Sequence, residues 1–148
     1  MKRMVSFLLV LTAFICVSFS GCFFIPMTPD PEGGMEYTIV KSNGTRVEIC
    51  VSDLGDSEWT LIDVMEIAKL EGKLTYEISG GMIASMEGAV NAADFSSCWM
   101  LYTTDEELSN TEWGTITVGE KTLGSAIVGA EALPVVEGEL YVWDYQTF

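Results

Sequence analysis

Only one stretch of this chain is read as an amphipathic helix, and that constrains how everything else can be buried. Thr60-Leu61-Ile62-Asp63 has the form of a capping box, with a hydroxyl side chain at the N-cap and a carboxylate three residues on. From there the spacing predicts a helix to about Glu71. Leu61, Val64, Met65 and Ala68 mark one face with Ile67 on its flank, and Asp63, Glu66 and Lys69 lie opposite. Gly72 supplies a left-handed residue to end it. Burying the apolar stripe on a sheet is worth about 7–12 kcal/mol gross, enough to dock the helix. One helix covers one face of a sheet, so the other face needs a different cover or none.

The rest of the chain reads as strands. Met35–Lys41 and Thr45–Val51 alternate apolar and polar residues around Asn43-Gly44, a hairpin signal. A three-residue Ser42-Asn43-Gly44 loop sets Ile39 opposite Val47 and Tyr37 opposite Ile49 and so collects the apolar residues on one face. Gly44 then takes the left-handed position of a bulged turn. Lys73–Ile78, Met82–Met86, Ser97–Thr103 and Leu140–Tyr145 read as further strands, with Thr115–Val118 as a short edge strand. The expected architecture is α+β, a β-grasp-like mixed sheet with one crossing helix. Residues 35–148 suffice for a single domain.

Ahead of this domain, Lys2 and Arg3 precede an apolar run from Val5 to Phe19, and Ser20-Gly21 supply the small residues of a cleavage site. Phe19-Ser20-Gly21-Cys22 resembles the lipobox of bacterial lipoproteins, with Phe19 where that family usually has leucine. The resemblance implies a signal peptide over 1–21 and a diacylglycerol on the Cys22 sulfur. It also implies a chain held by lipid at the extracytoplasmic face of the cell membrane, because several acyl chains on one N-terminus anchor durably. Phe23-Phe24-Ile25 would then lie at the membrane surface. Residues 22–34, with three prolines and two glycines, form a semi-extended tether.

Loss of Lys2 and Arg3 with the leader leaves five basic residues against 22 acidic ones, a net charge of −17. Nucleic acid is therefore not an expected partner. With Cys16 in the leader and Cys22 lipidated, Cys50 and Cys98 remain. An exported pair can form a disulfide, or each can serve as a small buried hydrophobe. The chain has no histidine and no CxxC spacing, so no metal site is expected. Serine–histidine and cysteine–histidine catalysis cannot be assembled either. The carboxylate groups Asp53, Asp56 and Glu58, and Asp105, Glu106 and Glu107, fall in polar loops, where ionised surface groups are the default. No enzyme, no catalytic residue and no required cofactor are expected.

Aromatic residues are the remaining signal. Tyr141, Trp143 and Tyr145 share one face of the last strand, and Trp99 with Leu101 one face of an earlier one. Either this face stays open to a flat ligand or a protein partner, or loops such as 110–114 and 129–134 fold over it as a second small core. The order of hairpin, Thr60–Met65, Gly80–Gly88, Trp99–Tyr102 and Val136–Leu140 resembles the DUF4430 domain. That domain is similar to the C-terminal β-domain of transcobalamin and intrinsic factor. This chain has Thr103–Glu107 where members often carry Asn-Gly, and Gly138-Glu139 where Gly-Asp is usual. The resemblance covers residues 35–148 and implies a binding module for a cobalamin-like corrinoid. Trp99, Trp113, Trp143 and Tyr145, beside Gly129–Ala132, are the expected ligand contacts. A surface module for protein–protein interaction or adhesion, with no small ligand, is the alternative.

Overall fold

The computed structural model describes residues 34–148; the expected signal peptide, Cys22 and all of the tether but Gly34 lie outside them. Strands β1 (Glu36–Ser42) and β2 (Arg46–Asp53) form the N-terminal hairpin, followed by helix α1 (Leu61–Leu70). Then come β3 (Tyr76–Ser79), β4 (Met82–Met86), β5 (Ala89–Val90), β6 (Ser97–Thr103), β7 (Ser109–Val118), β8 (Lys121–Ala126) and β9 (Leu140–Thr147). They make a six-stranded sheet in the order β1-β2-β9-β6-β8-β7 and a separate three-stranded sheet, β3-β4-β5. Among the described residues, strands and a single helix give the expected α+β composition. The sheet, however, is not mixed, because every described pairing is antiparallel.

Helix α1 forms where its sequence says it should. Asp63 accepts from the Thr60 N–H at 2.8 Å and from the Thr60 hydroxyl at 2.7 Å, within a capping box. At the other end Gly72 has φ 70°. Its N–H reaches the Lys69 carbonyl at 3.0 Å while the Lys73 N–H reaches that of Ala68 at 2.8 Å, the paired bonds of a Schellman cap. A tertiary contribution is added at the N-terminus, where two amides with no partner inside the helix are taken by a distant segment. Leu61 N–H donates to Leu133 C=O at 2.8 Å and Ile62 N–H to Ala130 C=O at 3.0 Å.

The N-terminal hairpin keeps the expected faces and changes register. Ile39 pairs with Ile49 and Tyr37 with Val51, so the three-residue loop is Asn43-Gly44-Thr45 rather than Ser42-Asn43-Gly44. Asn43 at φ 55° and Gly44 at φ 67° supply two consecutive left-handed residues, and Thr45 N–H donates to Ser42 C=O at 3.1 Å. A slip of two residues returns every side chain to its own face, so burial alone does not choose between the two registers. Turn geometry does.

The main core lies between α1 and one face of the larger sheet. Leu61, Val64, Met65 and Ala68 of the helix pack with Val47, Ile49 and Val51 of β2, Tyr141 and Trp143 of β9, and Trp99 and Leu101 of β6. Tyr76, Ile83 and Met86 of the small sheet join the same cluster. On the opposite face Tyr102, Ile116, Leu123 and Val142 form a second, smaller core. The β7–β8 hairpin, which includes residues 110–114, supplies Ile116 and Leu123 to it, whereas the aromatic face expected to lie under segments 110–114 and 129–134 packs against α1 together with Ala130 and Leu133 of the second segment. Gly124 makes the close approach of these strands feasible, since a Cβ there would lie 3.0 Å from the Ser109 Cβ and 3.3 Å from the Asn110 carbonyl carbon.

A candidate ligand cleft beside β6

Strand β6 pairs with β9 along its whole length, but β8 meets β6 only at Tyr102 and Thr103. Beyond that point the two strands diverge, because β8 runs on into a segment held elsewhere: Ile127 N–H donates to Leu108 C=O at 3.0 Å. The gap is a cleft of about 320 Å³ that reaches Trp99, Leu101 and Trp143 on the sheet, Ile62 on the helix and Ile83 on β4. That volume lies at the lower end of the range for small-molecule sites. Gly129, Ala130 and Glu131 line it as well.

Asn91 holds one wall in place. Its side-chain oxygen accepts from the Trp99 N–H at 2.9 Å, and its amide group donates to Ile83 C=O at 2.7 Å, so β4 and β6 are tied through one side chain. Both indole donors beside the cleft are committed inside the protein. Trp99 Nε1–H donates to Ala89 C=O at 2.9 Å, and Trp143 Nε1–H points at the Met65 sulfur at 3.4 Å. The walls therefore present mainly carbon. At the mouth stand Ile78, Met82, Phe95 and Ile127, each of them substantially exposed. Single exposed hydrophobic residues are ordinary, but four around one opening form a patch of the kind that marks a binding surface. Among the described residues no lysine or arginine lines the cleft, whereas Glu131 does.

Of the four expected contact residues, the structure brings three near one another. Trp99 and Trp143 line the cleft, buried to 5% and 6% exposure. Tyr145 backs Trp99 edge to face, with ring centroids 5.4 Å apart, and its hydroxyl donates to Val90 C=O at 2.6 Å. Trp113 is not among the cleft residues; it sits on the irregular part of β7 and is 64% exposed. Tyr141, Trp143 and Trp99 are thus the floor of the main core, not an open aromatic sheet face. As cleft residues, Asn91, Phe95, Met82 and Ile127 were not marked by the sequence. The one available cue was an aromatic residue, Phe95, flanked by Asp94 and Ser96 in the short segment Asn91–Ser97.

Of the two alternatives left open for Cys50 and Cys98, register excludes the disulfide. Cys50 pairs with Leu140 and Cys98 with Gln146 on the intervening strand β9, so the two lie roughly 20 Å apart along the strands at 3.3 Å per residue. A disulfide needs Cα atoms within about 7 Å. Both thiols are free and partly buried.

The acidic loops organise turns. Asp53 accepts from the Gly55 N–H at 2.8 Å, and Asp105 from the N–H groups of Glu107 at 3.0 Å and Leu108 at 3.3 Å. Among the described residues no cluster of three or more acidic or cysteine side chains is arranged to hold a metal ion. Tyr76 and Tyr141 have phenols pushed up from the ordinary range, chiefly by burial, with the Glu66 carboxylate adding to the effect at Tyr76. Neither belongs to the cleft. Comparison of the chain with known protein families, with curated proteins and with solved structures gives no match.

Proposed function

We propose that this chain is a lipid-anchored binding module of the extracytoplasmic membrane face, with the cleft beside β6 as its ligand site. In this reading residues 1–21 are the signal peptide, Cys22 carries the lipid, and residues 35–148 are a DUF4430-type domain. The observation that carries the reading is the carbon-lined cleft ringed by Ile78, Met82, Phe95 and Ile127. The proposed ligand class is a cobalamin-like corrinoid, broad and amphipathic, of which one apolar edge would enter while Gly129–Glu131 meet its polar rim. A cleft of this size encloses only part of such a molecule, so the affinity should be near micromolar, about −8 kcal/mol.

Isothermal titration of the full chain in non-ionic detergent with cobalamin tests this. Saturable heat at micromolar concentration supports it. No heat up to millimolar cobalamin overturns it in favour of the second reading, a surface protein–protein interaction or adhesion module, which the four exposed apolar residues also favour. The proposal involves no enzymatic step and no nucleic acid partner.

A further inference from the structure

Phe95 is displayed at the cleft mouth in a conformation that phenylalanine disfavours. Its φ is 57°, in the left-handed region, where Cβ crowds the following carbonyl oxygen. The turn around it is fixed from both sides. Phe95 N–H donates to Ala92 C=O at 2.9 Å, Asp94 accepts from the Ser96 N–H at 3.1 Å and from the Ser96 hydroxyl at 2.7 Å, and Phe148 N–H donates to Ser96 C=O at 2.8 Å. Glycine would meet the same geometry without strain. Burial does not account for the aromatic ring either, since 54% of the residue faces solvent.

Strained, over-determined residues cluster at ligand clamps, and this one borders the cleft. We infer that Phe95 is the ligand clamp of the proposed site, closing by packing its ring on the flat, uncharged edge of the corrin macrocycle that enters between it and the Trp99–Trp143 wall. This rests on the ligand-site reading above and adds the residue that sets its specificity. Three features select the ligand chemistry. The Asn91 amide and both indole donors are already bonded, so the interior offers mainly carbon, with the Ser125 hydroxyl and the Cys98 thiol beside it. Glu131 on the lining, with no basic residue, disfavours an anion. An exposed phenyl ring gains most from a flat partner through offset stacking.

Equilibrium dialysis of the full chain in octyl glucoside against cobalamin, read by visible absorbance, tests the clamp with two variants whose folding is followed by thermal unfolding. Phe95→Gly should bind roughly tenfold or more weakly while melting at or above the wild-type temperature, because the backbone strain is relieved. Phe95→Ala should lose binding equally and gain no stability. If the wild type binds and Phe95→Gly binds as well as it does, the clamp is wrong and the ligand site survives; Met82→Ser should then still weaken binding. If the wild type takes up no cobalamin, the corrinoid reading falls and the clamp on it falls too.

Discussion

Glu87, at φ 49° in the tight turn from β4 to β5, joins the small sheet to the N-terminal hairpin. Its carboxylate accepts from the Thr75 N–H at 2.8 Å and the Thr75 hydroxyl at 3.1 Å, and pairs with Lys41 at 3.0 Å. Burial pushes its pKa up, but the bonds from Lys41 and Thr75 more than offset this and hold it below the usual value of 4.5. A carboxyl depressed on folding stabilises above its unfolded value, and the contribution is lost as pH falls through the folded one. The melting temperature should therefore be flat above about pH 5 in this respect and decline below pH 4.5. Glu87→Gln should cost about 1 kcal/mol at neutral pH, discounted for partial exposure, and flatten the acid limb. Parallel acid limbs in circular dichroism melts of the two proteins would assign the loss elsewhere. At the other tight turn, Gly44→Val should cost about 1 kcal/mol or more, because a β-branched residue resists φ 67°. An unchanged urea midpoint would contradict that geometry.

Helix α1 was legible because capping chemistry and apolar period agree, and its packing explains what the indoles do. Met65 is fully buried and lies against the Trp143 ring nitrogen, so Met65→Asp places an unpaired charge beneath the helix. The expected cost is roughly 3 kcal/mol or more, read as lost amide-exchange protection across 61–70. Retained protection there would mean that the helix holds without its core face. Trp143→Ala, by the same contact, should cost about 3–5 kcal/mol. Lost binding in that variant would report unfolding, which is why Phe95, and not Trp143, is the residue to test for ligand contact. Strands β5 and β8 escaped the sequence reading for physical reasons. The first has two residues, and the second, Lys121–Ala126, carries Gly124, whose lack of a side chain serves the close approach of β7 rather than strand propensity.

At the scale of the whole molecule, the proposed anchor has a direct test. Cys22→Ala should release the protein to the medium or leave the leader uncleaved, since no thioether to lipid can form. Unchanged partition into the detergent phase on phase separation would remove the lipid from the proposal.

What the sequence by itself determined is what local chemistry encodes. The helix limits follow from Thr60, Asp63 and Gly72, the faces of β1, β2, β6 and β9 from two-residue alternation, and the left-handed turn from Asn43-Gly44. The tertiary structure decided everything that depends on which strands become neighbours. The hairpin register is one case, because a slip of two preserves each face. The separation of Cys50 from Cys98 is another, because it depends on β9 lying between their strands. The division into two sheets also belongs here, as does the conversion of the aromatic face into buried core. The cleft belongs wholly to this second class. It exists because β8 leaves β6 after two pairs, and a position where two strands part has no periodicity, composition or motif of its own to be read in advance.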